Sequence, residues 1–203
     1  THADNNTDFL PLTVASVHAS IVTPVARANV SGSFLVNASV NASVSGGAVN
    51  VNLTVWNSTG NATGLIAMNL SSGSLTAGYW NVTLDSTTLI DGFYNLSVNA
   101  TDANGRINIS ANVSVLVDNT RPNATIADPA NGSTGTGSIT INASVNDSLS
   151  KVFNATFRLS NSTNGSVTDW IYATLGTGTI DQGYWNATFN TATRADGNYN
   201  ITL

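Results

Sequence analysis

Hydrophobic and polar residues alternate with a period of two along most of this chain. Between Phe34 and Val44, one parity carries Phe34, Val36, Ala38, Val40, Ala42 and Val44. The other carries Leu35, Asn37, Ser39, Asn41 and Ser43. Successive side chains of a strand point to opposite faces, so this segment predicts a strand with one apolar and one polar face. The pattern recurs as Val49/Val51/Leu53/Val55 against Asn50/Asn52, and as Tyr94/Leu96/Val98/Ala100 against Asn95/Asn99. It recurs again as Ile107/Ile109/Ala111/Val113/Val115 against Asn108/Asn112. Such strands, bounded by Gly, Asn and Asp turns in units of about 100 residues, predict an antiparallel β-sandwich.

The pattern is also repeated on a longer scale. Ser20–Pro24 resembles Thr125–Pro129, and Asn37–Val40 recurs as Asn142–Val145. Gly78-Tyr-Trp-Asn-Val-Thr83 recurs as Gly183-Tyr-Trp-Asn-Ala-Thr188, and Asp91-Gly-Phe-Tyr94 as Asp196-Gly-Asn-Tyr199. All four pairs share an offset of 105 residues. The chain therefore reads as two copies of one domain. Residues 1–16 form an N-terminal extension, 17–119 a first sandwich and 120–203 a second. Trp80 and Trp185, with Tyr79 and Tyr184, recur at equivalent positions and are expected to pack in the two cores.

Composition supports strands and excludes several functions. Charged residues are 8% of the chain, against about 25% in ordinary soluble domains. There is no Glu and few Lys or Arg, which argues against helical bundles. Six basic residues and a net charge of -5 give no electrostatic footprint for nucleic acid. No apolar run reaches the roughly 20 residues of a membrane span. There is no Cys, so disulfides and thiolate metal sites are excluded. His2 and His18 are isolated from any paired carboxylate, and the Asp residues sit mostly in turns. Asp102, Asp118 and Asp128 match no complete Ca²⁺ loop. We expect no catalytic residues, no metal and no cofactor other than covalent N-glycans.

The asparagines carry the functional signal. Asn-X-Ser/Thr occurs at Asn5, Asn29, Asn37, Asn41, Asn52, Asn57, Asn61, Asn69, Asn81, Asn95 and Asn99. It occurs again at Asn108, Asn112, Asn123, Asn131, Asn142, Asn146, Asn154, Asn161, Asn164, Asn186 and Asn200. Ser plus Thr is 50 of 203 residues, so composition alone places about 7 sequons on 28 Asn, yet there are 22. The excess points to dense N-glycosylation of an exported, cell-surface protein. The sequons also fall on the outward parity of the strands, where a glycan has room.

Asp91-Gly-Phe-Tyr94 and Asp196-Gly-Asn-Tyr199 resemble the turn entering strand F of immunoglobulin-like folds. The resemblance implies that each Tyr hydroxyl bonds back across the corner. With Val98-Asn-Ala-Thr-Asp-Ala-Asn-Gly105 and Val117-Asp-Asn-Thr-Arg-Pro122, the chain resembles immunoglobulin-like repeats of prokaryotic surface proteins and adhesins. It departs from antibody domains, since Leu96 and Ile201 stand where the second disulfide Cys would be. No sequon has the acidic residue two positions before Asn that marks the familiar bacterial signal, so the resemblance is to archaeal or eukaryotic modification, and the absence of Cys favours the archaeal one.

The two copies differ in one respect. Copy one continues past Val98 through a hairpin into a last strand, whereas Leu203 occupies the position equivalent to Val98. The second sandwich is expected to lack its own last strand. Leu10, Leu12 and Val14 alternate with Pro11 and Thr13 in the N-terminal extension. This resembles donor-strand filament subunits, and implies that Leu10, Leu12 and Val14 enter a groove beside Tyr199, Ile201 and Leu203 of the next identical subunit. Such a contact repeats head to tail into an open helical filament, or pilus. The alternative is a fragment of a cell-surface adhesin or S-layer-type protein made of such repeats.

Overall fold

The computed structural model describes residues 15–203. The chain divides into two compact units, through Val117 and from Asp118 onward. Both are built almost entirely of strands.

Unit 1 opens with β1 (Val17–Thr23), β2 (Ala28–Val30), β3 (Ser33–Ala42) and β4 (Ala48–Asn57). There follow β5 (Gly60–Ala67), β6 (Asn69–Gly73), β7 (Ala77–Asp85) and a 3-10 turn, Ser86–Thr88. It closes with β8 (Gly92–Asp102), β9 (Ile107–Ile109) and β10 (Val113–Val117). One sheet runs β1-β3-β7-β6, the other β2-β10-β8-β4-β5 with β9 also on β8. The pairs are antiparallel except β2 with β10, which is parallel.

Unit 2 contains β11 (Asn123–Asp128), β12 (Ser138–Asn146), β13 (Thr156–Asn161), β14 (Val167–Tyr172) and β15 (Thr174–Gly178). β16 (Gln182–Asn190), a 3-10 turn (Thr191–Thr193) and β17 (Tyr199–Thr202) complete it. Its sheets run β11-β12-β16-β15 and β14-β13-β17. This is the unit 1 arrangement without counterparts of β2, β9 and β10.

The period-two pattern explains both cores. Val36, Val40, Leu53, Val55, Leu96 and Val98 are fully enclosed between the sheets of unit 1, as are Ile141, Ala143 and Phe157 in unit 2. Trp80 and Trp185 are buried at equivalent places. Tyr79 and Tyr184 are not: alternation turns each to the opposite face, where each is half exposed. Small devices repeat too. Gly73 and Gly178 have φ of 83° and 88° in equivalent hairpins, where an added Cβ would collide with the carbonyls of Ala77 and Gln182. Side chains of this handedness rarely adopt such φ, so glycine is required there.

The tyrosine corner is present in both units. Tyr94 Oη donates to Ile90 O at 2.8 Å, and Tyr199 Oη to Ala195 O at 3.0 Å. Tyr94 is buried while Tyr199 is half-buried, so the first bond is the stronger contributor. Tyr94→Phe is expected to cost unit 1 about 0.5–1.5 kcal/mol. Tyr199→Phe is expected to cost unit 2 less, and chemical denaturation of both variants checks the order.

The last strand of unit 1 departs from simple alternation. Ile107 and Ile109 are more than 60% exposed, and Asn108 turns inward to accept the Ala19 N–H at 2.9 Å. The reason lies in Ser110–Asn112, which break the strand between β9 and β10. Ser110 is buried, its Oγ accepts the Val98 N–H at 2.9 Å, and the parity flips across it. Only Val113, Val115 and Val117 then face the core. Val49 is likewise exposed, because the β4–β8 register shifts between Ala48 and Asn50.

Candidate functional site

The first candidate surface is the set of sequon asparagines. Asn5 lies outside the described residues. Each of the other sequon asparagines is exposed or half-buried, none enclosed. Their surroundings fall into two kinds.

In the strands, sequons stand beside one another. Asn37 on β3 is directly opposite Asn81 on β7, which is opposite Asn69 on β6. Asn142 on β12 is opposite Asn186 on β16, the same place in unit 2. Asn52 is opposite Asn99 across β4–β8, and Asn123 is opposite Asn146 across β11–β12. Residues so paired hold their Cβ atoms about 4.5–5.5 Å apart. The Oδ1 atoms of Asn37, Asn99 and Asn142 are sealed from solvent without a hydrogen-bond donor.

In the hairpins the geometry differs. Asn57 Oδ1 accepts from Thr59 N (2.9 Å) and Thr59 Oγ1 (2.7 Å). Asn61 Oδ1 accepts from Thr63 N at 3.1 Å and Gly64 N at 3.0 Å. Asn161 Oδ1 accepts from Thr163 N (2.8 Å), and Asn164 Oδ1 from Ser166 N (3.0 Å) and Ser166 Oγ (2.7 Å). These four sequons occupy the β4–β5 and β13–β14 hairpins, the same connection in each copy.

The second candidate surface is an edge of unit 2. In unit 1, β8 runs on to Asp102, and its last residues pair with the start of β4: Val51 is opposite Ala100, and Ala48 opposite Asp102. β17 ends at Thr202, and residues 151–155 accordingly stay outside any strand. An open groove of about 440 Å³ takes the place of those pairings. Ala124, Val145, Val152, Ala155 and Leu203 give it an apolar floor, and Asp147, Ser150 and Lys151 a polar rim. Of the residues expected there, Leu203 lines the groove. Tyr199 and Ile201 instead pair with β13, where Ile201 packs on the core. Leu10, Leu12 and Val14 lie outside the described residues.

The carboxylates serve turns. Asp102 is buried and accepts from Asn104 N and Arg106 N, both at 2.9 Å, and from Arg106 Nε at 3.1 Å. Burial by itself raises its pKa, but these donors together outweigh it and hold the carboxyl below its ordinary value. Asp147 is held down likewise against burial by Ser150 Oγ and the amides of residues 149–151. Asp118 accepts from Thr120 N and Ser150 N, both at 3.0 Å. His18 is exposed on β1. Among the described residues, no group of three His, Cys, Asp or Glu is placed to hold a metal ion.

One feature escaped the sequence. Trp56, Leu65 and Ile109, with Asn61 and Asn99, line a shallow groove of about 410 Å³ on the outer face of the β4–β8 sheet. The parity flip at Ser110 exposes Ile109 there, and the sequence carries no signal for it, because Ala111 continues the Ile/Val alternation.

Residues 122–203 match the family model for the bacterial Ig domain. The match falls on unit 2, and unit 1 repeats its topology with three further strands. No curated protein matches the chain. Among solved structures, the chain is similar to the endo-β-1,4-mannanase of Thermotoga petrophila, with 15% identity and a TM-score of 0.40. That alignment covers 52% of this chain and 20% of the enzyme. The fibronectin(III)-like modules of Clostridium thermocellum CbhA align over 91% of both chains, with 17% identity and a TM-score of 0.34. Dimeric latent PorU from Porphyromonas gingivalis aligns over 94% of this chain and 18% of its own, with 13% identity and a TM-score of 0.36. No helix among the described residues is long and apolar enough to cross a membrane.

Proposed function

We propose that this chain is a non-catalytic, N-glycosylated structural segment of an exported cell-surface protein built from Ig-like repeats. The observation that carries this reading is the sequon surface, since 22 sequons occur where composition alone places about 7. The described ones are all at least partly open to solvent. A surface with 8% charged residues has little charge repulsion to keep copies apart, and hydrated glycans supply that separation. Intact-mass measurement of the native protein tests this: mass well above 20.9 kDa is expected, and the bare value refutes it.

The finer reading is a filament of identical subunits joined head to tail. Its support is the outer edge of β17, unpaired among the described residues, and the open groove ending at Leu203, with an alternating Leu10/Leu12/Val14 segment elsewhere in the sequence. An unpaired edge of this kind recruits another strand. Burying each of the three side chains contributes roughly 1.5–3 kcal/mol. Deletion of residues 1–16 is therefore expected to abolish assembly, as seen by negative-stain microscopy. Filaments that persist refute donor-strand exchange. They favour the second reading, an adhesin or S-layer-type repeat array whose groove is filled in cis, as unit 1 fills its own.

A further inference from the structure

We propose that the sequons are not equivalent acceptors, and that the paired β4–β5 and β13–β14 hairpins are the glycan-bearing sites. Asn57, Asn61, Asn161 and Asn164 carry sugar, while the strand-ladder asparagines Asn37, Asn81, Asn142 and Asn186 stay bare. This rests on the glycosylated reading above and specifies which sites it uses.

The argument starts from the acceptor atom. In N-glycosylation Nδ2 attacks the anomeric carbon of a lipid-phosphate-linked oligosaccharide. The bond from that carbon to the phosphate oxygen breaks, the lipid phosphate leaves with the electron pair, and one Nδ2 proton passes to a base of the transferase. Nothing is oxidised or reduced. The reaction needs an Nδ2 that projects outward and room for the sugar that stays behind. At the four hairpin positions Oδ1 is tied to the backbone N–H two residues on, at 2.8–3.1 Å. The carboxamide is thereby fixed through its oxygen, leaving Nδ2 as its free end. In Asn57 and Asn164 the sequon hydroxyl itself donates to Oδ1 at 2.7 Å. Asx turns of this kind require a short polar side chain followed by a bend, which Asn57-Ser-Thr-Gly60 and Asn161-Ser-Thr-Asn164-Gly165 supply.

The ladder positions fail on room. Asn37 and Asn142 are half-buried, with Oδ1 closed off from solvent and no donor holding it in an Asx turn. A sugar on Asn81 would stand over Asn37 on one side and Asn69 on the other, each one strand spacing (about 4.8 Å) away. Sugars on adjacent members of such a row overlap. If modification precedes folding, a chain glycosylated on two facing members of the row crowds the pairing of β3 with β7. If it follows folding, the transferase finds the hairpin amides first.

The test is site-resolved mapping of intact glycopeptides from the native full chain by electron-transfer fragmentation. Asn57, Asn61, Asn161 and Asn164 are expected to be modified in most molecules, and Asn37, Asn81, Asn142 and Asn186 unmodified. Ladder asparagines modified as often as hairpin ones would overturn the site assignment while leaving the glycosylated reading intact. Bare asparagines throughout would overturn both. A quadruple variant, N57Q/N61Q/N161Q/N164Q, checked for folding by circular dichroism, is expected to lose the mass of four glycans. Unchanged mass in the folded variant would refute the assignment.

Discussion

Replacing Phe157 by Ala is expected to cost unit 2 about 3–5 kcal/mol. Phe157 is the largest fully enclosed side chain in the molecule, at 0% exposure among the described residues. It stands on β13 between the two sheets, with Ile141, Leu159, Trp185 and Phe189 in the same cluster. Removing the ring leaves a cavity whose walls belong to hydrogen-bonded strands, so collapse is limited and the upper half of the range is favoured. Unit 2 is also the sandwich with fewer elements, so the same loss is a larger share of its stability. For a domain of this size the melting temperature should fall on the order of 20 °C. Trp185 packs in that cluster, so its fluorescence reports the transition directly. Leu53→Ala is the matching variant in unit 1, where the surrounding core is larger. A drop below about 5 °C for Phe157→Ala would mean that β13 is not clamped between two sheets.

Most of the fold was legible because period-two alternation and a 105-residue repeat are both properties of sequence alone. β3 and β12, β7 and β16, and β8 and β17 stand where the alternation and the four repeated segments place them. The tyrosine corners were implied by the resemblance of Asp91-Gly-Phe-Tyr94 and Asp196-Gly-Asn-Tyr199 to the strand F turn of immunoglobulin-like folds. What escaped was local. A single buried Ser110 turns Asn108 inward and Ile107 and Ile109 outward, and nothing in the hydrophobic pattern distinguishes that from an unbroken strand. The shift between Ala48 and Asn50 exposes Val49 by the same kind of slip. One residue of displacement exchanges the faces of everything beyond it. The parallel β2–β10 pair was invisible because three residues carry no periodicity. The sequons were countable from the sequence, but their pairing into ladders and hairpins depends on register, which only the folded sheets supply.

The edge of unit 2 shows how sequence and packing meet. Val152–Ala155 correspond to the start of β4, which in unit 1 is held by the far half of β8. Among the described residues no strand of that kind pairs with the segment, yet Val152 N–H donates to Ile180 O at 2.8 Å and Ala155 O accepts from Ala173 N at 2.9 Å. β13 is shorter than β4, and Phe153 is almost fully exposed. The open groove lies where unit 1 has the far half of β8. Any strand that supplies those pairings would extend β13 beside Val152 and Ala155, which are already buried, and has Leu203 at 40% exposure to cover.

Lowering the pH is expected to destabilise unit 1 through buried Asp102, and Asp102→Asn is expected to remove the Asp102 part. A smaller part comes from exposed Asp85, which the Thr87 hydroxyl and amide hold below its ordinary value. The buried carboxylate gathers the amides of Asn104 and Arg106 and the Arg106 Nε, while Arg106 Nη1 donates to Ala15 O at 2.6 Å. One side chain thereby fixes both the hairpin after β8 and the chain entering β1. Its carboxyl is held below the ordinary value of 3.8, because these donors outweigh the opposing effect of burial. A depressed pKa in the folded state contributes stability that is complete above the unfolded value and is lost as the pH falls through and below it. Melting of the wild type should therefore be flat near neutrality and fall below about pH 4. Asp147, depressed in the same direction, adds a parallel loss in unit 2. In Asp102→Asn the neutral amide keeps one acceptor oxygen but meets the guanidinium without charge. Unit 1 should be less stable at neutral pH and flatter in acid, while unit 2 keeps its slope. Melts followed between neutral pH and about pH 2 decide the matter. An unchanged acid slope for unit 1 in the variant would show that Asp102 does not hold this corner.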